Sequence, residues 1–486
     1  MHPFVRWALL GLVMIVTPWW QYGFYTHRDS LDYTYRLTSI AGQPYRADYA
    51  YFFHYLDLYP ISWRGMKTPP EPDTISARSI LATQGHRLFS RIEYDNLSIF
   101  PYLADIWLGG DPRTPIAATG NGLVFTLALM AVYLAFWSAR YELLGLLVVA
   151  LIGSNPFQLY EVYVNDNVFS WAITAGLLVM ALLTPLLANH RYFFRQGSWW
   201  RRSYPWLAVA AVGIILGSFR HMRTEYITTL PLALAVPFLL LGFRLRARAI
   251  MSSLLLAGFL ASQWGWTFYF RGKAVEAQHV LLKAGGKIPA LYTEDADFHP
   301  FWFSFWAGLG DFDTKYGYLF DDNTAKAFVT TMLNREASYD LSSLSDSDKV
   351  FRDRVVGDVL RDPRWYFDIL ARRLHRIVAD NTPLQLAYAD RTMRLNGANA
   401  VPLIGLSILG LLAFCRQYRL MALTLFPLVT GAAAGVITTE GGMHYYSWFH
   451  LFVYAYAGAL IIETVLALSS FMSGKRLVPS LKTSMN

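Results

Sequence analysis

Trp7-Ala8-Leu9-Leu10-Gly11-Leu12-Val13-Met14-Ile15-Val16-Thr17-Pro18-Trp19-Trp20 is followed, after a short aromatic run, by His27-Arg28-Asp29-Ser30-Leu31-Asp32-Tyr33. The first stretch is apolar enough to enter a bilayer, and the second sits where the chain leaves it. No small-residue cleavage site follows, so the segment reads as a retained span rather than a removed leader. If the second stretch is helical, Asp29 and Asp32 share one face. His27, Arg28 and Arg36 flank them. Two readings stand side by side. In one, Trp19, Trp20, Tyr22, Tyr25 and Tyr33 anchor the chain at the interface and the charges are merely solvated. In the other, paired acids are held at a membrane surface to do chemistry.

The rest of the chain repeats the apolar theme. Of 486 residues 54% are hydrophobic, and aromatic residues equal charged ones at 16%. Mean hydropathy is +0.29. These values indicate an all-α polytopic membrane protein with about ten transmembrane helices. The expected cores are Trp7–Trp20, Gly122–Trp137, Leu143–Ile152, Val168–Leu187, Leu207–Leu216, Thr228–Leu241, Ile250–Phe268, Val401–Phe414, Leu420–Ile437 and Phe449–Leu468. The third is short enough to be re-entrant. Three parts follow: 1–268, a transmembrane module whose first outer loop (21–120) is long; 269–400, an outer helical lobe; and 401–486, the last spans and a tail.

Charge fixes the expected orientation. Arg140, then Arg191, Arg195, Arg201 and Arg202, then Arg244, Arg246 and Arg248, then Arg416 and Arg419, and finally Lys475, Arg476 and Lys482 fall in alternate loops. The short loops between carry Glu161, Asp166 and Glu440 instead. Both termini are then cytoplasmic. The net charge of +8 reads as topology and not as nucleic-acid binding. Cys415 is the only cysteine, which excludes an internal disulfide and a multi-thiolate metal site.

The outer segments hold the chemistry-bearing residues. In the first loop, 74–93 reads as an amphipathic interfacial helix. The loop 155–167 opens with Asn155-Pro156, which ends the preceding helix, and carries Glu161 and Asp166. These read either as a polar turn with caps or as site residues. Ser218-Phe219-Arg220-His221-Met222-Arg223 breaks the charge rule, with Arg220 and Arg223 on the outer side. Charges so placed are paired or functional, and a guanidinium fork suits a phosphate. Residues 297–318 combine His299, an aromatic run containing Trp302, a Gly-Leu-Gly turn and an acidic-aromatic tail ending near Tyr316. Aromatic faces beside acids suit a sugar ring. They also suit a bilayer-docking belt. Helices are expected at 324–336, 346–360 and 362–379, the last with a basic face of Arg372, Arg373, His375 and Arg376. Glu440 and His444 flank Gly441-Gly442 in the last outer loop. No nucleotide-binding glycine loop, HExxH or EF-hand pattern occurs, and no internal repeat is visible.

This layout of an inside N-terminus, one span, a long outer loop beginning with acids, a bundle, an outer domain and further spans resembles the GT-C superfamily of integral-membrane glycosyltransferases. That superfamily includes the protein O-mannosyltransferases and the lipid A aminoarabinose transferases. Its members carry an acid, often Asp-Glu, just after the first span; here Asp29 and Asp32 correspond, without the adjacent pair. The resemblance implies a polyprenyl-phosphate sugar donor and a glycan, lipid or protein acceptor. It implies inverting transfer at the outer face with Asp29 or Asp32 as general base. Arg220, His221, Arg223 and His299 would hold the donor and stabilise the leaving phosphate. Glu161, Asp166, Trp302, Tyr316, Glu440 and His444 would line the sugar or acceptor side. No cofactor is required, although some relatives use a divalent metal. The expected setting is the bacterial inner membrane with the site on the periplasmic side. The competing readings are a lipid-diphosphate-dependent glycan polymerase or ligase, a glycolipid translocase and a non-enzymatic assembly subunit.

Overall fold

The computed structural model describes residues 3–27, 118–163, 167–189, 199–219, 230–240, 243–283, 301–334, 345–379, 384–388, 391–394 and 443–472. It is mostly helical, at 88%. Among the described residues four helices are long and apolar enough to cross a membrane: Pro3–Thr26, Thr119–Ser138, Trp199–Phe219 and Leu245–Tyr269. A bent pair makes a fifth if it is counted as one span. Eight of the ten expected cores fall wholly or partly within the described residues, and these four, or five with the bent pair, are the ones that are long and apolar enough. The cores at 401–414 and 420–437 lie outside them, as does the expected interfacial helix at 74–93.

The first bundle contains α1 (Pro3–Thr26), α2 (Ala118–Ser138), α3 (Glu142–Ser154), α4 (Pro156–Tyr163) and the first part of α5 (Asn167–Asn189). Its polarity is inverted relative to a water-soluble protein. The buried stripe of α1 is Arg6, Val13, Thr17, Gln21 and Phe24. Phe4, Trp7, Leu12, Ile15, Trp19 and Tyr22 are exposed. Such a helix satisfies its polar groups inward and offers apolar ones outward, as hydrocarbon surroundings demand. Arg6 forms a buried ion pair with Glu142 and donates from Nη2 to Trp137 O at 2.8 Å. Trp137 returns a bond from Nε1 to Arg6 O at 3.1 Å. The α2–α3 corner closes with Arg140 at φ 69° and a Tyr141 N–H to Phe136 O bond of 2.9 Å, a left-handed helix ending that usually takes glycine.

Residues 155–163 are not an open loop. Asn155 Oδ1 accepts from Phe157 N at 3.0 Å and Pro156 occupies the first helical position, where its missing N–H costs nothing. The pair α3–α4 therefore bends by 61°. Every residue of α4 is buried.

A second cluster joins the end of α5 to α6 (Trp199–Phe219), α7 (Leu230–Ala235), a 3-10 turn (Val236–Leu239) and α8 (Leu245–Lys283). The expected span at 228–241 is, over 230–240, this short helix and turn instead; Pro237 lies within the turn. The α6–α8 contact is close because Gly213 and Gly217 stand one turn apart. A Cβ on Gly213 would lie 2.1 Å from Leu255 O, and one on Gly217 2.3 Å from Phe259 O. From the other side, one on Gly258 would meet Ala210 O at 2.7 Å. Small residues at this spacing let two backbones touch. Beside them Ser218 and Ser262 share a hydroxyl bond of 2.7 Å, and Trp266 Nε1 donates to Ser218 Oγ at 2.9 Å. The expected seventh span lies within one 39-residue helix that runs on to Lys283.

The lobe contains α9 (Phe301–Gly308), α10 (Asp322–Leu333), α11 (Ser345–Arg361) and α12 (Pro363–Ala379). Helices α10, α11 and α12 lie within a few residues of the expected 324–336, 346–360 and 362–379, whereas α9 forms in the aromatic run that was not expected to be helical. Asp321 caps α10 by accepting from Thr324 N at 2.7 Å, and Pro363 opens α12. The aromatic run supplies the lobe's core: Phe303, Phe305 and Trp306 are buried with Tyr318, Phe351, Trp365 and Ile369.

Among the described residues one feature departs from an all-α chain. Strands β1 (Gln385–Tyr388) and β2 (Arg391–Arg394) pair antiparallel, Gln385 opposite Arg394. Then α13 (Met443–Met472) covers the last expected span and packs Leu451, Phe452, Ala455, Tyr456 and Ala459 into the first cluster.

Candidate functional site

The end of α1 that precedes Asp29 is held by polar bonds to three other parts of the fold. Helix α3 stops at Ser154, and Phe157 N bonds to Asn155 rather than continuing the ladder. The Gly153 carbonyl is therefore one of those a helix end leaves over. Gln21 takes it, donating from Nε2 at 2.6 Å. The other face of the same amide accepts from Tyr163 OH at 2.9 Å. One buried glutamine thus ties α1 to both halves of the bent pair. Tyr25 OH, one turn later, accepts from Thr119 Oγ1 at 3.0 Å at the start of α2. The Tyr25 and Tyr163 rings lie 6.5 Å apart.

The third contact comes from far along the sequence. Trp20 Nε1 donates to Ala387 O of β1 at 3.3 Å. Tyr388 meets Trp20 edge-on at 5.6 Å and Trp19 at 5.8 Å. The hairpin after the lobe therefore closes on the end of the first helix. His27 finishes α1 by turning its ring back, Nδ1 lying 2.9 Å from Gly23 O. A donor there satisfies a C-terminal carbonyl.

Glu161 lies on α4 two residues before Tyr163 and is fully buried. A carboxylate so enclosed is retained only where groups around it compensate for lost hydration. Gln158, one turn earlier, is equally buried. Between α1 and α3 a cleft of about 140 Å³ runs along apolar residues such as Leu12, Val16 and Val149. Thr17, Gln21 and Ser154 also line it, and its walls are predominantly apolar.

The other sequence candidates distribute as follows. Asp29, Asp32, Asp166, Arg220, His221, Arg223, His299 and Glu440 lie outside the described residues. His444 is the second residue of α13. Trp302 and Tyr316 belong to the lobe. Trp302 N donates to Asp348 Oδ1 at 2.8 Å, and its ring lies 5.5 Å from Phe305. Burial pushes the Asp348 carboxyl up to about 6.

Tyr316 adopts φ 61°, an outlier for a bulky residue that surrounding bonds must hold in place. Its hydroxyl donates to Asp362 Oδ2 at 3.1 Å and its carbonyl accepts from Arg354 at 3.0 Å. The ring meets Trp365 edge-on at 5.1 Å, under Lys315 and Arg361 at 5.0 and 5.8 Å. Lys315 also bonds Asp362 at 2.6 Å. This bond holds the lysine above its ordinary value and the aspartate below its own. Among the described residues no three or more His, Cys, Asp or Glu side chains group as a metal site would require.

Sequence reasoning passed over Gln21, Gln158 and His450, all buried polar residues on apolar helices. An uncharged amide inside a span was the available signal. No protein-family model, curated protein or solved structure matches the chain.

Proposed function

We propose that this chain is a membrane glycosyltransferase that moves a sugar from a polyprenyl-phosphate donor to an acceptor hydroxyl. Transfer takes place at the membrane face where α1 ends, with inversion. The reading rests on the junction at Gln21. It fixes the end of α1, two residues short of Arg28-Asp29, against the buried helix that carries Glu161. An acid meant to take a proton from an acceptor needs such a fixed mount, because general-base catalysis requires hydrogen-bond reach before it requires any particular pKa. The cleft along α1 adds support. Its predominantly apolar walls suit an isoprenoid chain.

In this scheme Asp29 or Asp32 accepts the acceptor's proton as the new glycosidic bond forms. The bond to the lipid phosphate breaks, and the phosphate leaves with the electron pair. Arg220 and Arg223 stabilise the charge it gains.

The test is transfer from a panel of radiolabelled polyprenyl-phosphate sugars by the full chain in lipid. Wild type is run beside Asp29→Asn, Asp32→Asn, Arg220→Ala and Glu161→Gln. One aspartate variant is expected to lose about 10²–10⁴-fold in turnover while still binding donor, and Arg220→Ala about 10²–10³-fold. If both aspartate variants keep full turnover, or no donor in the panel binds, the reading fails. Transfer from diphosphate-linked donors alone would move it to a glycan polymerase or ligase.

A further inference from the structure

Helix α12 has two apolar faces, and the lobe uses one. Trp365 and Ile369 face the lobe's core. Arg373 lies on the same side, fully buried, donating from Nε to Asp311 Oδ2 at 2.8 Å and from Nη2 to Gly308 O at 2.5 Å. The opposite side carries Phe367, Ala371 and Leu374, at i, i+4 and i+7, one above another. Phe367 is 66% exposed and Leu374 50%; Ala371 is also exposed. Going round the helix from this stripe, the next exposed residues are Arg364, His375, Asp368 and Arg372. The one acid among them, Asp368, is paired with Arg372 at 2.8 Å. A narrow apolar stripe bordered by cations is the pattern of a helix lying in a membrane interface.

The chain's path supports the same partner. Between Ala379, the end of α12, and Gln385, the start of β1, the backbone can span at most about 20 Å. Strand β1 is held against Trp19 and Trp20, the tryptophans near the end of a helix long and apolar enough to cross a bilayer. The end of α12 is thus tethered near the level at which that helix leaves the membrane. A bilayer surface is within reach there without any second molecule having to be recruited.

We infer that α12 docks the lobe on an anionic phospholipid surface, with Phe367, Ala371 and Leu374 in the acyl boundary and Arg364, Arg372 and His375 against lipid phosphates. The inference is independent of the transferase reading.

The test uses the full chain in lipid nanodiscs, with Cys415→Ser as background and a single nitroxide label at Phe367→Cys, Ala371→Cys, Leu374→Cys or Arg376→Cys. Power saturation compares collisions with oxygen, which concentrates in lipid, and with a water-soluble nickel chelate. In discs rich in phosphatidylglycerol, labels at 367, 371 and 374 should favour oxygen and the label at 376 nickel. Adding Arg364→Gln should weaken the lipid-phase population about fivefold, the worth of one cation near an anionic surface. Nickel access at all four positions would overturn the inference, as would labels closed to both probes, which would mean that protein covers the stripe. An unchanged oxygen preference in pure phosphatidylcholine discs would overturn the assignment of anionic headgroups.

Discussion

Asp348 accepts the Trp302 N–H at the start of α9 while buried in the lobe, and burial raises its carboxyl to about 6. A carboxyl whose folded value stands above its unfolded one binds its proton more tightly in the folded state. Its contribution is therefore complete below the ordinary carboxylate range and is lost as pH rises from about 4 to about 6. Asp348→Asn keeps the acceptor for Trp302 and removes the charge. At pH 7 the variant should be more stable than wild type by about 1–2 kcal/mol, and the difference should vanish by pH 4. Thermal unfolding followed by tryptophan fluorescence reads both. Asp362 works in the opposite sense. Its bond from Lys315 depresses its carboxyl, so its share is present above the ordinary range and is lost as pH falls through the folded value.

Two helix contacts show how far the sequence could be read. The contact between α6 and α8 depends on Gly213 and Gly217, whose absent side chains leave room for the backbone of Leu255 to Phe259. Gly213→Leu should force the helices apart and cost about 3 kcal/mol. The loss should appear as a lower midpoint in detergent unfolding, and Gly11→Leu, where nothing lies within 4 Å, serves as the control. The Gly213 and Gly217 spacing stands in the sequence but went unread, and a small-residue face does not in any case specify which helix covers it. Three of the four lobe helices, α10, α11 and α12, were legible to within a few residues because local chemistry starts them, with an aspartate cap at Asp321 and a proline at 363. The break at Asn155-Pro156 was legible for the same reason. The burial of α4 was not, because Pro156-Phe157-Gln158-Leu159-Tyr160-Glu161 mixes polar and apolar residues. Its polar groups are tolerable only through partners elsewhere in the fold, such as the Gln21 amide that Tyr163 finds. The hairpin was hidden too, since strands this short carry little periodic signal.

Taken as a whole, the described molecule is a helical membrane bundle with a compact lobe, and its candidate site lies where the first helix ends. The acids and arginines that the transferase reading needs stand outside the described residues; within them, the Gln21 junction holds the end of α1. The mount itself, Gln21 between Gly153 and Tyr163, could not be read from the chain because its members are more than 130 residues apart.

The unbroken run of α8 acts as a ruler and a crankshaft. Its apolar part ends near Tyr269, yet the helix continues to Lys283, about 21 Å further at 1.5 Å per residue. Whatever follows Lys283 therefore starts at a set height and at a set angular phase. Two residues inserted after Tyr269 would swing everything beyond by about 200° and lift it by about 3 Å, whereas seven would nearly restore the phase at about 10 Å greater height. If the chain is the proposed transferase and its lobe must face a fixed direction, the two-residue insertion should abolish transfer and the seven-residue one should be milder. If only its height matters, the order should reverse, and turnover of the two insertion variants side by side distinguishes an angular linkage from a vertical one.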